Sequence, residues 1–265
     1  MYHFLLKKIP RPVLIRISYL VKFFAPIIFY GKKYKDPING KTYRKFLPYG
    51  YSEKSKRKNV LSPGTLSLER HRLLWLFLKN KTDFFTAPHK VLHIAPEQCF
   101  LPIFKQMKNL EYVTADLESP IADLHFDLHH IPLPDESFDV IFANHVLEHV
   151  EDDIQCMKEL YRVMKKGGWG VFQVPQDTSR QNTYEDKSIT TPEEREKHFW
   201  QKDHVRLYGL DYPERLKSVG FAVEEIDVTK EMSDKEIDYY RLPKGEKIYW
   251  CKKYQNIALT CIEPM

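Results

Sequence analysis

Apolar and polar positions along the chain follow two alternating periods. Short continuous apolar runs, Val91-Leu92-His93-Ile94-Ala95, Tyr112-Val113-Thr114-Ala115 and Phe138 to Asn144, have the length and residue types of buried strands. Phe126-Asp127 closes a shorter one, and Trp169 to Val174 predicts a fifth after the stop at Gly167-Gly168. Between them, Cys99 to Lys108 carries helix signals. Asp152 to Met164 places Ile154, Met157, Leu160, Tyr161 and Met164 at helical spacing. Asp211 to Val219 predicts another helix with Gly220 as its stop, followed by a strand from Phe221 to Val228. Lys247 to Lys252 and Asn256 to Ile262 are both strand-like, and the pattern leaves open which pairs with that strand. Alternating strands and helices predict an α/β fold, a parallel sheet with crossover helices. Ligands of such sheets sit at the carboxyl ends of the strands, where Asp116 and Asp127 fall.

The chain before Val91 reads differently. Residues 1–35 form a basic amphipathic segment, residues 36–66 a small ribbon-like module, and residues 67–265 the α/β domain. The apolar run from Val13 to Tyr30 contains Arg16, Lys22 and Pro26. Each charge at mid-bilayer costs roughly 2.5–3.5 kcal/mol, so a full span is disfavoured. An interfacial helix from about Pro12 to Phe24 fits better, with Leu20, Phe23 and Phe24 at the acyl boundary. A helix packed on the domain or in a dimer is the alternative. No small-residue cleavage site follows the run, which argues against a secretory signal. In the second segment, Asp36-Pro37-Ile38-Asn39 and Ser62-Pro63-Gly64-Thr65 have the spacing of two zinc-ribbon knuckles. Their ligand positions hold Asp36, Asn39, Ser62 and Thr65, a poor set for tetrahedral zinc. The expectation is a ribbon without its metal, held by hydrogen bonds from those short polar side chains. Ser67-Leu68-Glu69-Arg70-His71-Arg72 then reads as a helix start.

Composition narrows the classes. At 265 residues with 43% apolar and 14% aromatic content, the chain has ample material for a packed core. Cys99, Cys156, Cys251 and Cys261 lack a CxxC pair or a disulfide-framework spacing, as in a reducing compartment. The net charge of +5 is unevenly spread. Residues 1–66 hold 11 Lys and 4 Arg against only Asp36 and Glu53, a net of +13, which leaves −8 for the rest. Such a split points to a polyanionic partner for the N-terminal part, an anionic membrane surface or nucleic acid, with nucleic acid the less favoured.

Acids after successive parallel strands suit a ligand with a ribose and an adenine: one accepts both ribose hydroxyls, the next the exocyclic amine. Asp116 and Asp127 hold those places. The surrounding motifs carry a resemblance: Leu133 to Ile141 ("LPDESFDVI"), Val146 to Val150 ("VLEHV") and Arg162 to Pro175 ("RVMKKGGWGVFQVP"). The stretch resembles class I S-adenosylmethionine-dependent methyltransferases of the small-molecule type. The resemblance implies a Rossmann-like sheet of seven strands, the last antiparallel, with helices on both faces, and methyl transfer from a sulfonium. The family's glycine-rich first loop is missing. His93, Ala95 and Glu97 stand where an acid and two glycines are usual, and Glu97 could bind the cofactor's ammonium group instead. A subgroup with an "LHxAPE" loop is similar here. It also carries a cysteine ribbon, "SLERHR" (Ser67 to Arg72) and a segment matching Thr183 to Leu216.

The implied cofactor is S-adenosylmethionine, held by His93, Ala95, Glu97, Asp116, Leu117, Asp127, Leu128 and Asn144. No metal is expected. Residues 176–210 read as a polar active-site cover, in which Tyr184, Glu185, His198, Arg206 and Tyr208 are the candidates for acceptor binding. His204 is the first candidate base, oriented by Asp203 or Glu185, and His145 the second. His149 reads as a packed structural histidine. The expectation is a bacterial-type cytoplasmic enzyme, peripheral at the inner membrane face. Its acceptor would be an O or N atom of a small-molecule, glycan or lipid-linked compound. An RNA methyltransferase and a non-catalytic binding module are the alternatives.

Overall fold

A computed structural model describes residues 23–50 and 56–254. Most of the predicted interfacial helix and the strand-like Asn256 to Ile262 lie outside these residues. The described chain divides into two compact units, and the division cuts across the sequence boundaries at 35 and 66. The first unit holds the residues up to 87, 97–109 and 227–247, the second residues 88–96, 110–226 and those from 248 on.

In the first unit, residues 23–28 are helical. Two antiparallel pairs follow, β1 (Tyr30–Lys35) with β2 (Thr42–Tyr43), and β3 (Leu47–Tyr49) with β4 (Arg57–Leu61). Asp36 closes the turn after β1 and Ser62 the turn after β4. Each begins a knuckle with a backbone bond across it, Asp36 N to the Lys41 carbonyl and Ser62 N to the Ser67 carbonyl. The knuckles meet directly. Thr65 Oγ1 donates to Asp36 Oδ2 at 2.5 Å, and Ser67 Oγ to the same oxygen at 3.3 Å. Asp36 Oδ1 accepts from Ile38 N at 3.0 Å, and Asn39 Nδ2 donates to Tyr43 Oη at 3.0 Å. Hydrogen bonds thus hold the loops that the spacing assigns to a metal. A Cβ at Gly64 would lie 1.9 Å from Tyr43 Oη, so only glycine fits at that point.

Helix α1 (Glu69–Lys81) starts at Leu68, whose N–H is accepted by His71 Nδ1 at 3.1 Å. The buried Arg72 guanidinium donates to the carbonyls of Val60, Ser67, Tyr240 and Arg241, joining the second knuckle to the helix Asp234–Tyr240. Burial lowers its pKa to about 10, so it remains charged at neutral pH. The helix expected over Cys99 to Lys108 shrinks to one turn, α2 (Leu101–Phe104). The Phe100 and Phe104 rings stack in parallel on the Trp75 ring of α1, and these contacts outweigh the weak helix signals.

The second unit is built on a seven-stranded sheet. Its first five strands are parallel: β5 (His89–Ile94), β6 (Leu110–Asp116), β7 (Leu124–His125), β8 (Phe138–Ala143) and β9 (Met164–Val171). Helix α3 (Asp153–Val163) connects β8 to β9, with Asp152 capping it through Gln155 N at 2.9 Å. The expected cover is structured. It holds β10 (Tyr184–Glu185), α4 (Pro192–Phe199) and β11 (Arg206–Leu207), and α5 (Tyr212–Ser218) follows. The sheet ends with β12 (Ala222–Ile226) and β13 (Ile248–Lys252). The order is β12-β13-β9-β8-β5-β6-β7, with β13 antiparallel between β12 and β9. Lys247 to Lys252 therefore supplies the strand that pairs with Phe221 to Val228.

One cross-link explains why two distant motifs occur together. Arg162 of α3 donates to the carbonyls of Ile131 and Leu133 and pairs with Asp135 and Glu159. Glu136 and Ser137 donate from their amides to Arg162 and Val163 carbonyls. The "LPDESF" turn is thus tied to the helix that precedes β9. The core beneath comprises Leu92, Ile141, Met157, Leu160, Phe172 and Tyr212.

Candidate functional site

At the carboxyl end of β5, Ala95 has φ of 49° and donates its N–H to the Ala115 carbonyl at 2.8 Å. A left-handed non-glycine residue costs of order 1 kcal/mol or more. The loop has therefore lost a glycine while keeping the backbone conformation that glycine serves. His93 is a correction. Its ring is buried in the sheet packing, with Nδ1 2.6 Å from Tyr112 Oη and the ring against Phe142, so its side chain is engaged within the sheet. Glu97 belongs to the first unit, where its carbonyl accepts from Phe100 and Leu101 at the entry to α2.

The two acids stand at the ends of β6 and just beyond β7. Asp116 Oδ1 accepts from Glu118 N at 2.9 Å and Ser119 N at 2.8 Å, which fixes the carboxylate and leaves Oδ2 open among the described residues. Leu117 beside it is 64% exposed, an apolar surface next to an anchored acid. Asp127 Oδ1 accepts from the His129 amide at 2.9 Å and pairs with its Nδ1 at 2.7 Å. These bonds, the backbone one foremost, hold its pKa below the ordinary carboxylate value. Leu128 is buried. Asn144 is buried too, and its Oδ1 accepts from Gln173 N at 3.2 Å, which clamps the ends of β8 and β9. The set fits S-adenosylmethionine at the ribose and adenine: an anchored carboxylate with one free oxygen, an exposed leucine and a second ionised acid. Asp116 and Asp127 would hold it, with Leu117 against the base.

Beyond β8 the chain turns sharply. His145 has φ of 56°, and its N–H donates to the Gln173 carbonyl at 2.6 Å. The following turn brings four ionisable side chains together. His145 Nδ1 lies 3.4 Å from Glu148 Oε1, and His149 Nε2 lies 3.9 Å from the same oxygen. The His204 ring meets the His149 ring edge-on at 4.8 Å between centroids. Burial pushes the His204 pKa down, so its imidazole is neutral near pH 7. The orienting partners differ from expectation. His204 Nδ1 lies 2.8 Å from the Phe199 carbonyl, while Asp203 sits by His149, with its carbonyl at 3.2 Å from Nδ1 and Oδ2 at 3.5 Å. His204 is fully buried, so the first candidate base cannot reach an acceptor directly. His149, read as structural, has a partly exposed ring in the cluster. Glu148 was missed, because an acid in a short "HVLEHV" turn carries no periodic signal; only its spacing from two histidines could have shown it.

The cover corrects three further assignments. Arg206 is buried and donates to the carbonyls of Leu147, Val150 and Glu151 and to Glu185 Oε1. With most of its donors spent on the turn and on Glu185, it positions Glu148 and His149. Tyr208 is also buried, donating to Asp153 Oδ2 at 2.7 Å, and Arg215 grips the same carboxylate. Glu185 pairs with Arg206 and Arg215 and does not touch a histidine. Tyr184 Oη lies 3.2 Å from His198 Nδ1. Around them opens a cavity of about 290 Å3 lined by Glu151, Asp152, Glu185, Asp186, Lys187 and Arg195 among others.

Residues 82–172 match the family described as "Methyltransferase domain". Over 69 residues the chain is 35% identical to malonyl-[acyl-carrier protein] O-methyltransferase of Marinomonas sp., a match covering 26% of this chain and 22% of that protein. Over 108 residues it is 34% identical to a "Probable S-adenosylmethionine-dependent methyltransferase" of Mycolicibacterium smegmatis, covering 40% of this chain and 37% of that protein. The matches thus span well under half of both relatives. Among solved structures, the [4+2]-cyclase SpnF aligns over 90% of this chain and 96% of its own, at 12% identity and a TM-score of 0.49.

Proposed function

We propose that this chain, whose residues 82–172 match the family described as "Methyltransferase domain", is a class I S-adenosylmethionine-dependent enzyme that methylates an oxygen or nitrogen of a small-molecule, glycan or lipid-linked acceptor. The observation that carries the reading is Asp116 at the end of β6, with one oxygen locked by two amides and the other open. When bound, the cofactor supplies a methyl group on a sulfonium for in-line attack by an acceptor lone pair. Asp116 would accept the ribose hydroxyls, Leu117 would cover the base, and Asp127 would take the exocyclic amine. Much of the rate would come from alignment alone. The cavity beside Glu185 and Arg195 is the place for the acceptor, and its mixed charges suit a polar compound.

A membrane-surface acceptor is supported by the exposed Phe23, Ile27, Ile28 and Tyr30 and by Lys32, Lys33 and Lys35, which follow directly. No helix among the described residues is long and apolar enough to cross a membrane. RNA is the second reading, favoured by the net charge of +13 over residues 1–66. Titration calorimetry with S-adenosylmethionine and S-adenosylhomocysteine tests the core of the proposal. Micromolar binding is expected, and no heat at millimolar ligand would leave a non-catalytic fold.

A further inference from the structure

The turn after β8 and the loop before β11 bring together more ligand atoms than proton transfer requires. One ligand atom each from Glu148, His149 and His204 lies within 4.8 Å of the other two. Glu148 is 1% exposed and its Oε2 has no hydrogen-bond partner. His204 is fully buried and its Nε2 is likewise unpartnered. A buried carboxylate and a buried imidazole with unused atoms are costly unless something pairs with them.

The orientation of both rings is informative. His204 Nδ1 faces the Phe199 carbonyl and His149 Nδ1 faces the Asp203 carbonyl, each as a donor would. Both tautomers then leave Nε2 as a bare lone pair on the Glu148 side. Fixing a histidine through its far nitrogen in this way is the usual outer support of a metal-binding imidazole. Val205 N donates to the Glu148 carbonyl at 2.9 Å, and Arg206 binds three carbonyls of the same turn, so the two segments are held together before any ligand arrives. His145, 3.4 Å from Glu148 Oε1, stands beside the cluster as a fourth donor.

We propose that Glu148, His149 and His204 bind one divalent transition-metal ion, with His145 as an additional ligand. Two or three imidazoles and a carboxylate suit Zn2+ and its neighbours, and the hard oxygen-only ions Mg2+ and Ca2+ poorly. Binding draws the ligand atoms inward to about 2.0–2.2 Å from the ion. The partly exposed rings of His145 and His149 give the ion an entry path and an open side. An oxygen donor of the acceptor takes that open position; this role rests on the methyl-transfer reading, whereas the metal site itself does not.

The test uses the full-length chain, stripped with chelator and titrated with Zn2+ by calorimetry and with Co2+ by visible absorption, without cofactor. One ion per chain at micromolar affinity or tighter, with Co2+ ligand-field bands and a raised Tm, is expected. Glu148→Gln and His149→Ala should each weaken binding at least 10-fold, while His130→Ala, in an exposed loop, leaves it unchanged. His149 is partly exposed, so its variant keeps the test valid should Glu148→Gln not fold. No stoichiometric binding, or binding that survives both variants, overturns the site. S-adenosylmethionine affinity, measured in parallel, reports separately on the methyl-transfer reading.

Discussion

Ala95 and Asp116 carry opposite kinds of test. The left-handed φ of Ala95 stores strain of order 1–3 kcal/mol, while glycine there adds unfolded-state entropy worth up to about 1 kcal/mol. Ala95→Gly is therefore expected to leave stability unchanged or raise it, and Ala95→Val to lower it by more than about 1 kcal/mol, as read by urea unfolding. A glycine variant clearly less stable than the parent would show that the strain is absent. Asp116→Ala removes the one carboxylate oxygen free for the ribose. A charge-assisted hydrogen bond is worth roughly 1.5–3 kcal/mol, so cofactor affinity should fall about 10–100-fold in calorimetry. The position of Asp116 at a strand end was legible in the sequence. His93, one residue type among apolar neighbours, was not, because burial and ring direction depend on Tyr112 and Phe142 from other strands.

Elements show where local pattern suffices and where it stops. The knuckle spacing of Asp36-Pro37-Ile38-Asn39 and Ser62-Pro63-Gly64-Thr65 predicts two short turns held by their own polar side chains. A hydrogen bond from Thr65 to Asp36 closes one turn onto the other. Thr65→Val should cost about 1–3 kcal/mol, since it leaves Asp36 Oδ2 without its nearest donor; a thermal scan showing no loss would assign the closure elsewhere. Arg206 reads in the sequence as a group that could hold an acceptor carboxylate or phosphate, and only the tertiary fold spends most of its donors on the turn from Leu147 to Glu151. The Asp153 carboxylate between Arg206, Arg215 and Tyr208 joins α3, β11 and α5. Burial raises its pKa, but the Arg215 hydrogen bond, the Arg206 charge and the Tyr208 hydroxyl outweigh it, and the net shift is downward. A depressed carboxylate contributes stability that is full above its unfolded value near 3.9 and is lost as pH falls through the folded value. Asp153→Asn leaves Arg206 and Arg215 with only the partly exposed Glu185 as counter-charge and should cost up to about 3–5 kcal/mol at pH 7. Its Tm deficit against the parent should narrow below about pH 4, and a deficit constant down to pH 3 would contradict the assignment.

Across the whole chain, charge and exposed apolar surface coincide at one end. Residues 1–66 carry +13, and Phe23 and Ile27 are each 74% exposed just before Lys32, Lys33 and Lys35. The alternation of strands and helices was legible in the sequence, but the sheet order was not, because β8 lies beside β5 and β13 between β12 and β9; the partner of the N-terminal part could not be read either, because a polyanion is recognised by charge alone. A membrane and an RNA make different demands on the aromatics. Basic residues near an anionic surface contribute about 1 kcal/mol each and are screened as the Debye length shrinks from about 10 Å at 0.1 M salt to 3 Å at 1 M. A phenylalanine buried in the acyl boundary adds about 1.5–3 kcal/mol that salt does not screen. The full-length chain should therefore co-sediment with phosphatidylglycerol vesicles at low salt, retain part of that binding at 0.5 M by the same screening estimate, and ignore neutral vesicles. Phe23→Ala with Phe24→Ala should remove the salt-resistant part, about 10-fold or more in affinity, and leave low-salt attraction in place. Binding abolished by salt alone, untouched by the aromatic substitutions and competed by RNA would transfer the basic segment to a nucleic-acid acceptor.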